Sequence, residues 1–232
     1  MISERQCIRI FPQFWRQAFP NFNDHFNEVF HRRATPLRFV TEWSHPITPS
    51  AETKWNDMIA ELAFTAFSRG VNISKQSESQ QNITEDDINA AIIKMGMIRG
   101  QALDRRLVTK EILHDAEVIR ARLITYFAPY HVTVHPTLRG FGALNALHPD
   151  MIVGQTIYEV KASKFNFKRE DLKQLLVYYL LSQVNDLKIT RLCLTNPRRG
   201  VDYSIDASDL QTCLGAPSRS QLLQLFKEAL RG

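Results

Sequence analysis

The sequence has few cysteines and no long apolar run. Its three cysteines, Cys7, Cys193 and Cys213, show no CxxC spacing and have no histidine pattern beside them. This arrangement argues against a zinc site and a disulfide framework, so we expect three reduced, buried thiols. No apolar stretch reaches the roughly 18 residues needed to span a bilayer, and residues 1–17 lack the continuous apolar stretch of a secretory signal. We therefore expect a cytoplasmic protein that does not bind membranes.

Strong charge of one sign is also missing. The chain has 29 Lys and Arg against 24 Asp and Glu, which gives a formal net charge of +5. Most of this excess lies in residues 131–232, where a mild positive field would favour a polyanionic partner. Apolar residues at 44% and charged residues at 23% are ordinary values for a folded domain, which argues against disorder.

Helical periodicity dominates the first 130 residues. One helix is predicted from Thr48, followed by proline at the first helical position, to Gly70. A polar loop is predicted at residues 76–82. Thr84 and Asp87 then form a capping pattern that opens a helix to about Ile98. A third helix continues from about Ile112 and stops before Pro129.

The period changes from 3.6 to 2 at Tyr130, which indicates strands. We predict strands at 130–135, 150–154, 156–162, 189–196 and 201–205, and helices at 169–182, 208–213 and 218–230. This order is typical of an α/β fold. It suggests a helical region, residues 1–110, for substrate or partner binding, followed by an α/β core, residues 111–232.

Two carboxylates and a lysine interrupt the apolar strands. Asp150 opens one strand, while Glu159 and Lys161 lie two residues apart on the next and project from the same face. The tight turn at Gly154-Gln155 can bring all three together. Buried carboxylates are costly unless they hold a cation, and oxygen ligands suit Mg²⁺ or Mn²⁺. The alternative is an edge strand with a solvated Glu-Lys pair.

Residues 115–206 resemble the PD-(D/E)xK nuclease superfamily, in particular the branch with the RecB nuclease domain and lambda exonuclease. The matching positions are Pro149-Asp150, Glu159-Val160-Lys161, and Gln174 with Tyr178, four residues apart on the following helix. His148 and Pro149 stand where related sequences often carry a small residue or a second acid. The resemblance implies a restriction-endonuclease-like core, in which a mixed central sheet is flanked by helices.

The resemblance also implies roles for these positions. Asp150, Glu159 and the backbone carbonyl of Val160 would bind the metal, Mg²⁺ or Mn²⁺, and Lys161 would orient the attacking water and stabilise charge on the phosphate. Gln174 and Tyr178 would contact the water or the phosphate. A further acid often comes from a preceding helix, for which Glu61 is the first candidate and Asp57 the second. Both could equally be a surface carboxylate pair.

Basic residues follow the Glu159-Lys161 strand closely. Four of them, Lys164, Lys168, Arg169 and Lys173, are the candidates for phosphate contacts. Arg198 and Arg199 lie on a predicted turn, where arginines are usually solvated.

The sequence therefore predicts a metal-dependent DNA nuclease that hydrolyses phosphodiester bonds with a metal-activated water, in a restriction, repair or antiviral defence system. The alternative is a non-catalytic nucleic-acid-binding or assembly subunit that retains the nuclease fold. A third option is a regulatory module, because residues 83–92 resemble histone-like assembly elements. No GxxxxGK[ST] motif occurs, so any ATPase or targeting function requires a partner protein. Endonuclease or exonuclease action, DNA or RNA as substrate, and a homo-oligomeric state all stay open.

Overall fold

The computed structural model describes residues 2–31, 37–39, 46–73 and 82–231. The predicted polar loop at 76–82 lies outside the described residues, except for Asn82. Within the described part, nine α-helices occur: α1 Glu4–Ile10, α2 Pro12–Ala18, α3 Phe22–Phe30, α4 Asn56–Ile73, α5 Glu85–Arg99, α6 Lys110–Phe127, α7 Arg169–Val184, α8 Leu210–Leu214 and α9 Arg219–Arg231. Six strands accompany them: β1 Leu37–Phe39, β2 Val132–Val134, β3 Met151–Val153, β4 Thr156–Val160, β5 Arg191–Asn196 and β6 Val201–Asp206.

Local signals account for the ends of α5 and α6. Thr84 and Asp87 form the predicted capping box, with each side chain bound to the other residue's backbone amide, and α5 ends at Gly100, whose φ is +67°. The left-handed conformation at this position suits glycine. Helix α6 begins after the capping residue Thr109. It stops shortly before Pro129, as predicted.

The prediction for α4 was wrong at its start. The helix begins at Asn56 instead of Thr48, after a 3₁₀ turn at Thr53–Trp55. The amides of Ser50 and Ala51 bind the carboxylate of Asp115 on α6, at 3.0 and 3.4 Å. This contact spans more than 60 residues of sequence and holds the segment outside the helix. The helix therefore starts later than the local capping signal indicates.

The sheet is mixed, as expected for an α/β fold. Its strand order is β1-β6-β5-β4-β3-β2, in which only β4 and β5 pair in parallel. Helix α7 joins these two strands, because parallel neighbours need a crossover connection. Strands β3 and β4 form a hairpin around Gly154, whose φ is +58°. The short edge strand β1 was not predicted, since the first 130 residues showed helical periodicity only.

Two hydrophobic clusters pack against this sheet. One contains α1–α3 and α7–α9 with Ile157 of β4, and the other contains α4–α6 with Tyr158 of the same strand at its edge. Successive residues of a strand point to opposite faces, so the two clusters cover the two sides of β4. Both clusters take residues from each side of residue 110. They therefore do not divide the chain at the predicted boundary.

The cysteines and membrane prediction can be compared directly. Cys7 and Cys193 are buried free thiols as expected, whereas Cys213 is only partly buried. Burial raises the pKa of the Cys7 thiol to about 12, which keeps it protonated and unreactive. Among the described helices, none is both long and apolar enough to cross a membrane.

Candidate active site

The β3–β4 hairpin brings Asp150 next to the end of β4. Asp150 immediately precedes β3, and its Oδ2 accepts a hydrogen bond of 2.7 Å from the backbone N–H of Val160. Its backbone carbonyl accepts another from the amide of His135, at 2.9 Å. Both the side chain and the backbone of Asp150 are therefore held by neighbouring segments.

Glu159 and Lys161 form the centre of the site. The Lys161 ammonium lies 2.7 Å from Oε1 of Glu159, which agrees with their predicted position on one face of the strand. Glu159 is only 5% exposed, and its Oε2 is buried without a hydrogen-bond partner among the described residues. A buried carboxylate oxygen without a donor is costly, so this atom requires a proton or a cation.

Helix α7 supplies the next contacts. Lys161 Nζ donates to Oε1 of Gln174 at 2.9 Å and lies 3.5 Å from Oδ1 of Asp171. Gln174 Nε2 donates to the hydroxyl of Tyr178 at 2.9 Å. The structure thus brings Gln174 and Tyr178 to the strand residues, and it adds Asp171, which the sequence interpretation had not selected.

Glu4 of α1 is the second site residue that the sequence interpretation missed. Its Oε1 accepts from Gln174 Nε2 at 2.8 Å, and its Oε2 accepts from the Tyr178 hydroxyl at 2.9 Å. The only local signal near it is the capping box of Ser3 and Gln6 that opens α1. Nothing in that pattern relates α1 to residues 174 and 178.

Burial and mutual repulsion shape the charge of the two central carboxyls. Burial raises the pKa of Glu159 to about 8, and the nearby Asp150 raises it further, while Lys161 opposes this change. Burial also raises the pKa of Asp150, against the opposing effect of Lys161. Burial alone would lower the pKa of Lys161, but Glu159 and Asp171 outweigh it and raise the pKa. Lys161 is therefore a stable ammonium, and it does not fully neutralise the carboxylates around it.

A cleft of about 550 Å³ opens over Asp150, Val160 and Lys161. Its other wall comes from α4 and α5, where Glu61 and Asp57 both line it, as their shared helix face predicted. Glu61 is bound to Lys94 at 2.8 Å and to the Thr65 hydroxyl at 3.2 Å. A cleft of this size fits within the range of about 300–1,000 Å³ typical of ligand sites.

The donors at the site suit a small hard cation. Asp150, Glu159 and the Val160 carbonyl offer oxygen only, and the unpartnered Oε2 of Glu159 is a free ligand atom. In the described part of the chain, however, no three His, Cys, Asp or Glu side chains are grouped to hold a metal. Glu61 is thus not brought into a three-acid group. The arrangement fits Mg²⁺ or Mn²⁺, which retain several waters and need few protein ligands.

The four predicted phosphate-binding residues point in different directions. Lys168 lines the cleft, and the ammonium of Lys164 lies on the Phe165 ring. Arg169 instead donates to Asn27 of α3 at 2.9 Å. Lys173 packs over two aromatic rings, those of Trp15 and Phe22, and burial lowers its pKa. Arg5 and Lys94 also line the cleft and were not predicted.

Arg198 was expected to be solvated but is 1% exposed. Its Nε donates to the Ala162 carbonyl at 3.0 Å, and its NH1 lies 3.3 Å from Oδ2 of Asp115, which is fully buried. Arg199, its neighbour on the turn, binds Asn166. Arg198 therefore joins the turn to α6 and to the segment that follows Lys161, and does not face solvent.

Comparisons with known proteins add nothing to this geometry. No protein-family model matches the chain, and no curated protein matches it.

Proposed function

We propose that the chain has a restriction-endonuclease-like fold and is a metal-dependent nuclease that hydrolyses phosphodiester bonds in DNA. The observation that supports this most directly is the fixed position of Lys161 between Glu159 and Gln174 at the floor of the cleft. An ammonium held beside two carboxylates is suited to stabilise negative charge that develops on a phosphate.

In this proposal Asp150, Glu159 and the Val160 carbonyl hold the metal. The chemistry that a bound Mg²⁺ or Mn²⁺ supplies is polarisation of the phosphate and activation of water. Lys161 uses two of its three N–H groups on Glu159 and Gln174. The third is then available to a phosphate oxygen or to the attacking water. Lys168, Arg5 and Lys94 hold the nucleic-acid backbone along the cleft.

The direct test offers purified protein and Mg²⁺ four substrates in parallel: supercoiled plasmid, linear duplex DNA, single-stranded DNA and RNA. Cleavage of at least one DNA substrate, lost on chelation, is the expected result. The choice of substrate distinguishes endonuclease from exonuclease action. Binding to DNA without cleavage under any metal would instead favour the non-catalytic binding subunit.

The identity of the metal gives a first prediction. Mg²⁺ and Mn²⁺ should support cleavage, whereas the larger Ca²⁺ prefers more ligands at longer distances and should allow binding only. Glu61→Gln should raise the Mg²⁺ concentration for half-maximal rate by about tenfold, because Glu61 lines the cleft opposite Asp150. Asp57→Asn is the matched variant and should change it less. Full cleavage in excess chelator would contradict the metal mechanism.

The basic residues give a second prediction. Lys168→Glu should weaken DNA binding and reduce the slope of log affinity against log salt by about 1, as loss of one phosphate contact does. Lys173→Glu should leave that slope unchanged and lower the free energy of unfolding instead, because Lys173 packs on Trp15 and Phe22. Binding isotherms at several salt concentrations and a urea titration separate the two effects. Equal salt slopes for the two variants would show that the cleft does not hold the phosphates.

A further inference from the structure

We propose that Glu4 is a positioning residue of the candidate active site, which fixes the side-chain amide of Gln174 so that its oxygen always faces Lys161. This inference rests on the proposed nuclease function and names a residue on the amino-terminal helix that acts through α7. Glu4 does not line the cleft. It would therefore act on the position of Lys161 and not on substrate binding.

The argument starts from what each group can donate or accept. A lysine ammonium only donates hydrogen bonds and a carboxylate only accepts them, whereas a glutamine amide does both with different ends. Gln174 lies between Lys161 and Glu4, at 2.9 and 2.8 Å. Only one amide orientation satisfies both neighbours. Glu4 therefore excludes the flipped orientation, in which the NH₂ group would face the Lys161 ammonium.

Tyr178 completes this network. Its hydroxyl accepts from Gln174 Nε2 and donates to the second oxygen of Glu4, both at 2.9 Å. Both N–H groups of the Gln174 amide and both oxygens of Glu4 are thus used. A network in which every member is satisfied is rigid, because any rotation breaks a hydrogen bond in a partly buried site.

The segment that carries Glu4 is itself fixed. Ile2 donates its amide to the Ala143 carbonyl at 2.7 Å and accepts from the Asn145 amide at 3.0 Å. Ser3 and Gln6 then cap α1 with two reciprocal hydrogen bonds. The backbone on the amino-terminal side of Glu4 is therefore anchored to residues 143–145, which places its carboxylate reproducibly over α7.

The first test measures kcat and KM for DNA cleavage by Glu4→Ala, Glu4→Gln and wild type. Glu4→Ala should lower kcat by about 10- to 100-fold, as loss of a group that orients an active-site residue does, with KM within twofold. Glu4→Gln should recover part of kcat, because its amide can still accept from Gln174. Glu28→Gln, an exposed carboxylate on α3, is the control and should match wild type. A raised KM with unchanged kcat, or kcat within twofold of wild type in Glu4→Ala, would overturn the proposal.

The second test does not need cleavage. In ¹⁵N spectra, both side-chain amide protons of Gln174 should exchange slowly with solvent in wild type, and Glu4→Ala should make this exchange at least tenfold faster. The Gln174→Ala spectrum assigns the resonance. Unchanged exchange in Glu4→Ala would overturn the positioning role. If wild type cuts no substrate but the exchange accelerates as expected, the nuclease function fails while the orientation of Gln174 by Glu4 stands.

Discussion

Glu159→Gln is expected to lower the rate of DNA cleavage by about 10³-fold or more, while the protein stays folded. A group that stabilises developing charge in a water-poor site contributes on this scale. Glu159 holds the Lys161 ammonium at 2.7 Å and carries the free buried oxygen that we assign to the metal. Glutamine keeps the shape and removes the charge. Single-turnover cleavage with saturating DNA and Mg²⁺ measures the effect.

The same substitution should leave the free energy of unfolding unchanged or raise it. Glu159 and Asp150 raise each other's tendency to remain protonated, because both carboxyls are desolvated and close together. Removal of one of two crowded buried charges relieves this cost. Glu170→Gln, at an exposed carboxylate in the first turn of α7, is the matched control and should change neither quantity. Near-normal cleavage by a homogeneous Glu159→Gln preparation would show that the site is assigned wrongly.

Arg198→Met is expected to lower the free energy of unfolding by about 3–5 kcal/mol, which is the usual cost when one partner of a buried ion pair is removed. The substitution leaves the fully buried Asp115 carboxylate without its cation. The Ala162 carbonyl also loses its donor. For a chain of this size each kcal/mol corresponds to roughly 2–4 °C in Tm, so we expect a decrease of about 10 °C. A urea titration gives the free energy directly.

An exposed ion pair provides the control for this measurement. Arg191 binds Asp206 at 3.1 Å, but its side chain is 52% exposed. Arg191→Met should therefore cost less than about 1 kcal/mol. In the double variant Arg198→Met with Asp115→Asn, the loss should be smaller than the sum of the two single losses, since no isolated charge remains buried. Equal effects of Arg198→Met and Arg191→Met would show that the buried pair has no special role.

The central site residues could be predicted because their relation is local in sequence. Asp150 and Glu159 flank one hairpin, Glu159 and Lys161 alternate on one strand, and Gln174 and Tyr178 are four apart on one helix. Period and spacing determine such neighbours. The α/β order of elements followed from the same periodicities, and the parallel pairing of β4 with β5 is consistent with the helix between them.

The remaining features depend on tertiary contacts between distant segments. The contact of Glu4 with α7, the Asp115–Arg198 pair and the edge pairing of β1 with β6 each join residues far apart in the chain. Nothing in the local pattern of any of these segments identifies its partner. Arg198 illustrates the limit, because a turn arginine is usually solvated and only its neighbours in space reveal that it is buried.

The packing of α1–α3 has a consequence for protein synthesis. Their aromatic residues, among them Phe14, Trp15 and Phe26, belong to a cluster whose other members begin at Leu138, and Glu4 is separated from Tyr178 by 174 residues. At about 5–20 residues per second, a ribosome needs roughly 10–35 s to make that length of chain. During this interval the apolar helices lack their native partners and are exposed to aggregation. The yield of folded protein should therefore depend on translation rate and on chaperones that cover nascent chains.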